Sequence, residues 1–180
     1  MDNISTYIFI DNLSDYKFFQ NKFNKEGTIW VSSSPHVLQK VKRENKQVIN
    51  LESFINKGQI NFLMKLSYKI SEKIILKNSS KIKFINKKDY KILFYRDLAG
   101  MIGSYLYKFF ALSNLIKKKK KSNFVFIGNI IEKKEVDHLM SPNDNVIFDI
   151  AKKLNNKNFK FINSISEKKK IFSFRLIILS

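Results

Sequence analysis

Two short polar stretches, each directly following an apolar β-prone run, hold the residues of this chain best placed for chemistry. They are Asp11-Asn12 and Ser32-Ser33-Ser34-Pro35-His36. A serine cluster running into proline marks the start of a helix, because serine can cap the free N–H groups and proline suits the first turn. Free backbone N–H groups, serine hydroxyls and the positive end of the helix dipole can together hold an anion. His36 could accept or donate a proton there. Asp11 and Asn12 occupy the matching position after the first strand and could contact a sugar hydroxyl or a base. Ser33 and Ser34, with Asp11, Asn12 and His36, are therefore the candidate ligand-binding residues. Helix capping and polar-turn chemistry account for the same residues without any ligand.

Other candidates are weaker. Gly128-Asn129 follows another apolar run, but the chain contains neither G-x-G-x-x-G nor G-x-x-x-x-G-K-[ST], which argues against a dinucleotide fingerprint and a P-loop. His138 lies near Glu135 and Asp137, without the spacing of a metal site. With two histidines and no cysteine, a histidine-rich metal enzyme and a cysteine nucleophile are both excluded, and no metal or cofactor is expected. Arg96-Asp97, on an apolar helical stretch, reads as an ion pair or as an anion contact. Lys117 to Lys121 reads as a solvated helix end, favoured there by the helix dipole.

Charge needs care. The chain carries 34 basic and 15 acidic residues, a formal net charge of +19, yet only Arg43, Arg96 and Arg175 are arginines. Nucleic-acid surfaces draw on arginine for bidentate phosphate and base contacts. Lysine travels here with 25 Ile, 19 Asn and 17 Phe, residues of A/T-rich codons. Much of the charge is therefore compositional, and specific nucleic-acid binding is not expected. Aromatics fall mostly on periodic apolar positions and read as core. The apolar-rich region from Ile92 to Ile116 is interrupted by Arg96, Asp97 and Lys108 and is not a membrane span.

These candidates depend on the elements around them. Tyr7-Ile8-Phe9-Ile10, Thr28-Ile29-Trp30-Val31 and Gln47-Val48-Ile49-Asn50 read as strands, with helices beginning near Ser14 and Pro35. Continuous apolar strands joined by helices predict a parallel sheet covered on both faces, an α/β, three-layer, Rossmann-like domain. Gln59 to Ile74 predicts a helix of four to five turns, and Asp89 to Ile116 a longer one that Gly100 and Gly103 could bend or open to close helix approach. Lys81 to Ile85 reads as a short strand. Phe124 to Ile127, a helix opened by Ser141-Pro142-Asn143-Asp144, Phe159 to Ile162, and Ile171 to Leu179 resume the α/β pattern. The expectation is one domain over 1–180, with a helical insertion at about 59–121. The ending at Ser180, directly after an apolar strand, suggests half of a truncated two-domain protein.

This layout resembles the N-terminal half of a GT-B glycosyltransferase of the surface-carbohydrate biosynthesis type. Three features carry the resemblance: the Tyr7-to-Asn50 alternation, the helical insertion from Gln59 to Ile116, and the return to a strand at Phe124 with a helix at Asn143 to Leu154. It implies an acceptor-side domain for a carbohydrate acceptor, inactive alone because the second domain supplies most donor contacts. It also implies a cytoplasmic location, peripheral to the inner face of the membrane. The alternative is a lysine-rich binding module for RNA or anionic lipid.

Overall fold

The computed structural model describes residues 5–78, 88–128, 146–154 and 156–167. The strand expected at Lys81 to Ile85, the last strand from Ile171, the Ser141-to-Asp144 helix entry and His138 lie outside them.

The first three strands appear where their apolar runs place them: β1 (Thr6–Phe9), β2 (Thr28–Ser32) and β3 (Val48–Asn50). Helix α1 (Leu13–Phe19) links the first two, and α2 (Pro35–Arg43) links the second pair. A 3-10 turn at Leu51–Phe54 then leads into α3 (Lys57–Asn78) and α4 (Lys88–Lys118). Strand β4 (Asn123–Gly128), helix α5 (Val146–Leu154) and strand β5 (Phe159–Asn163) complete the described elements. The five strands form one sheet in the order β3-β2-β1-β4-β5, and every pairing is parallel. The protein is a Rossmann-like, three-layer α/β fold.

Alternation along each strand separates two cores. Ile8 and Ile10, Trp30, Val125, Ile127 and Ile162 point to one face, where they pack with Tyr16 and Phe19 of α1 and with Val37 and Val41 of α2. The opposite face is aromatic. Register sets Phe9 beside Phe126 and Phe126 beside Phe161, with ring centroids 4.4 and 5.5 Å apart. A second row joins Tyr7, Phe124 and Phe159, at 5.7 Å for each step. Phe148 of α5 closes this layer edge-on to Phe161 at 5.4 Å. Aromatics stacked across neighbouring strands gain about 0.5–1.5 kcal/mol per pair beyond their burial. These phenylalanines of the sheet and α5 thus form core, as their periodicity implies.

Two left-handed residues shape the turns. Gly27 enters β2 at φ +78°, a conformation that costs glycine little. Asn45 follows α2 at φ 54°, and Asn45 N–H and Lys46 N–H donate to the carbonyls of Lys42 and Val41. That double bond is a Schellman ending, with asparagine in the usual glycine position.

The backbone divides into two compact units, Met1–Leu51 with Lys118–Ser180, and Glu52–Lys117. The second is an antiparallel helical hairpin. Tyr95 Oη donates to the Tyr68 carbonyl at 3.3 Å, and Asn114 Nδ2 donates to the Phe54 carbonyl at 2.8 Å, fixing opposite ends. Helix α3 runs 22 residues, longer than its apolar spacing predicts, and α4 is continuous through both glycines. A Cβ at Gly103 would lie 3.4 Å from Ser67 Oγ, in ordinary van der Waals contact with α3. Among the described residues no helix is long and apolar enough to cross a membrane.

Phe126 sits at the crossing of both aromatic rows, since its ring also lies 4.9 Å from Phe159. Replacement Phe126→Ala is expected to lower unfolding free energy by about 3–5 kcal/mol. Urea denaturation measures this, and the exposed Lys160→Ala on the neighbouring strand is expected to change it by less than about 0.5 kcal/mol.

Candidate functional site

All five strands point the same way, so their carboxyl ends share one edge of the sheet. The chain builds outward from β1 in one direction through β2 and β3, then in the other through β4 and β5. Such a change of direction is a switch point, where open α/β sheets bind ligands. Asp11 and Asn12 follow β1 at this point, and Gly128 closes β4 beside it.

Asp11 is held from two directions. Its Oδ1 accepts from Ser33 N–H at 2.7 Å and from Ser32 Oγ at 2.9 Å, and its Oδ2 accepts from Ser33 Oγ at 3.1 Å. A carboxylate offers about four acceptor positions, so three are committed to the neighbouring turn. Asp11 therefore clamps the β1 and β2 turns together across 21 residues of sequence. Ser32, fully buried, relays the clamp: its hydroxyl oxygen accepts from Ser34 N–H at 3.0 Å. This arrangement fixes the backbone at the start of α2.

The structure brings Asp11, Ser32, Ser33 and Ser34 together, and treats the other two candidates differently. Asn12 turns to its own helix, where Oδ1 accepts from Ser14 N–H at 2.8 Å and Asp15 N–H at 3.3 Å. It is the N-cap of α1. His36 is exposed on α2 and shares none of the clamp's bonds. Ser34 takes the N-cap position of α2, yet its side chain makes no capping hydrogen bond. The N–H groups that a capping serine would occupy are thus left for solvent or a ligand. Ser32, which the spacing did not single out from its neighbours, is the buried member; its placement at the end of an apolar strand is the signal that could have found it.

Among the described residues, the space beside Asp11 is small. Between Asp11, Phe9, Phe126, Ile147 and Phe148 lies about 10 Å³, room for roughly one water. Among the described residues there is no group of three or more His, Cys, Asp or Glu placed to hold a metal ion. The Arg96–Asp97 pair is loose and exposed, with Nε 3.9 Å from Oδ1. Exposed lysines occur on all five helices and on β5, in both units.

A second polar cluster joins α1 to the end of α2. The Tyr16 hydroxyl donates to Glu44 Oε2, which also lies 3.3 Å from Lys46 Nζ, and Lys40 Nζ lies 3.0 Å from Oε1. Burial, reinforced by the bond and the charge of Glu44, pushes the Tyr16 hydroxyl well above the ordinary tyrosine range. Partial burial raises the Glu44 carboxyl, but the bonds from Tyr16, Lys40 and Lys46 outweigh it and hold the group below the carboxylate range. A carboxylate at a helix C-terminus is unfavourable against the dipole, and these donors offset that. The cluster is structural.

The chain matches no protein-family model, no curated protein and no solved structure.

The Tyr16–Glu44 bond predicts a two-sided pH dependence. Ionised Glu44 contributes stability above its ordinary value of 4.5, lost as pH falls toward its lower folded value. Neutral Tyr16 contributes below its ordinary value of 10.0, lost as pH rises toward its higher folded value. Tyr16→Phe is expected to cost about 1–3 kcal/mol at pH 7. Urea titrations across pH are expected to show that difference shrinking in acid and again in alkali. A difference independent of pH from 3 to 11 counts against the assignment.

Proposed function

We propose that this chain is the acceptor-side unit of a GT-B-like glycosyltransferase of surface-carbohydrate assembly, binding a carbohydrate acceptor and without turnover on its own. The observation that carries the reading is the reversal of strand order at β1, with Asp11 fixed at that point by three hydrogen bonds. Two further features support it. A helical hairpin lies between β3 and β4, in the chain order of the GT-B resemblance. The described strands build one sheet, whereas GT-B catalysis draws on two Rossmann-like units. The dispersal of exposed lysines over both units favours this reading over an RNA-binding face.

In this reading, Asp11 and the serines position rather than react. The clamp holds the two turns so that the uncapped N–H groups of α2 and the remaining acceptor position of Asp11 face one ligand. Hydroxyl groups of a sugar suit such a mixed set of donors and acceptors. His36 serves as a base only if its ring turns toward this edge.

Amide NMR titration of the 180-residue protein with mono- and disaccharide acceptors tests the reading. Shifts are expected at Asp11, Asn12, Ser33, Ser34, His36 and Gly128, and are expected to vanish in Asp11→Ala. Shifts confined to Thr6, Thr28 and Asn123, at the opposite ends of the strands, reject the site. Nucleotide-sugar hydrolysis by the purified chain, abolished by His36→Ala, overturns the absence of turnover.

A further inference from the structure

The helical hairpin holds an open groove of about 410 Å³, within the size range of small-molecule sites. It lies wholly within the second unit, between α3 and α4. Its floor and walls are apolar or small, notably Leu63, Met64, Ala99, Gly100 and Gly103. A Cβ at Gly100 would meet nothing within 4 Å, so the space beside this turn of α4 is open. Met64 and Tyr68 on its rim are 53% and 40% exposed, so apolar surface here faces water.

Polar groups gather toward one end. Ser104, Tyr107 and Lys108 all line the groove. Their spacing of three and four residues puts them on one side of α4. Lys108 is half-buried, and among the described residues neither it nor Ser104 has a hydrogen-bonding or ionic partner. Glu52 also lines the groove, but it already has interactions of its own. Burial, and then the charge of Glu52, raises the Tyr107 hydroxyl above its ordinary range, so it stays a neutral donor. Arg96 adds a second cation about 18 Å along the helix from Lys108, given a rise of 1.5 Å per residue. Arg96 is already paired loosely with Asp97 and Glu52 is engaged, so among the described residues Lys108 is the cation of the groove left for an anion.

We propose that this groove binds a single-chain anionic amphiphile of the fatty-acid type, its carboxylate on Ser104, Tyr107 and Lys108 and its chain along Leu63, Met64 and Gly100. Size separates this occupant from a docking helix. A helix about 10 Å wide laid along 18 Å would fill about 1,400 Å³, several times the groove. A slender chain matches the volume, and removing its methylenes from water together with Met64 and Leu63 supplies the driving force. The proposal stands independently of the glycosyltransferase reading, because its site lies in the other unit.

The test uses the full chain and 11-(dansylamino)undecanoate as fluorescent probe. Probe fluorescence is expected to rise on binding, and dodecanoate is expected to displace it while dodecyltrimethylammonium does not. Lys108→Gln is expected to weaken binding about tenfold or more, through loss of a charged hydrogen-bond donor. Gly100→Leu is expected to abolish binding by filling the groove, while melting at the same or a higher temperature because it removes a glycine from a helix interior. Equal displacement by the cationic surfactant, or full binding in both variants, overturns the proposal. So does probe binding seen only with phosphatidylglycerol vesicles, or a shift in oligomeric state in place of ligand binding.

Discussion

Strand β1 lies at the centre of the sheet with neither face toward water, and its three apolar residues Tyr7, Ile8 and Phe9, with Ile10 just beyond it, are each no more than 2% exposed. A strand so buried must satisfy all its backbone groups from neighbouring strands, since no water reaches them. It does so through β2 on one side and β4 on the other, in matched parallel register. Parallel pairing demands crossovers, and crossovers place helices over both faces. The two cores, the direction of every strand and the shared edge of carboxyl ends all follow. The switch point is a consequence of the same constraint, because β1 can be central only if the chain grows away from it in both directions.

The two faces solve packing differently. Aliphatic residues with Trp30 fill the layer beneath α1 and α2, where Tyr16 meets Trp30 edge-on at 4.9 Å. The face under α5 is nearly all aromatic, and in-register strands turn single phenylalanines into continuous rows. Large rings leave little free space, which explains why the space beside Asp11 has room for about one water. The clamp between Asp11 and the serines is polar chemistry at the rim of this dense layer. It is satisfied internally, and among the described residues no buried side-chain polar atom lacks a partner.

The hairpin obeys another rule. Two helices alone can bury only the stripe each turns to the other, so the hairpin keeps apolar surface in contact with water. Among the described residues, seven of the eight large hydrophobic residues more than a third exposed belong to it: Phe62, Met64, Tyr68, Ile74, Leu76, Phe94 and Met101. On α4, Gly103 faces Ser67, where a Cβ would be in contact at 3.4 Å, and Gly100 faces open space, where a Cβ would meet nothing within 4 Å.

Much of the fold was legible in the residues themselves. Apolar runs of four, bounded by Asn, Asp, Gly and Ser, marked five strands because burial on both faces forces such continuity. The helix entries near Ser14 and Pro35 were local too, although the cap of α1 proved to be Asn12, two residues before Ser14. The continuation of α3 past Ile74 was not legible, because the Ile75 and Leu76 that follow do not keep to one stripe: Ile75 is buried and Leu76 exposed. Nor was the order of strands, since nothing local tells β4 to pair with β1 on the side away from β2. That choice decided where the switch point lies and which turn meets Asp11. It also set Tyr16 against Glu44 and left Ser104, Tyr107 and Lys108 around a groove. Each of these depends on residues distant in sequence brought within hydrogen-bonding reach or across a shared space. The sequence alone determined which segments become strand and helix, because hydrophobic periodicity and capping are local physics. Only the tertiary structure decided which polar groups meet, because their meeting is set by strand order and helix packing across long stretches of chain.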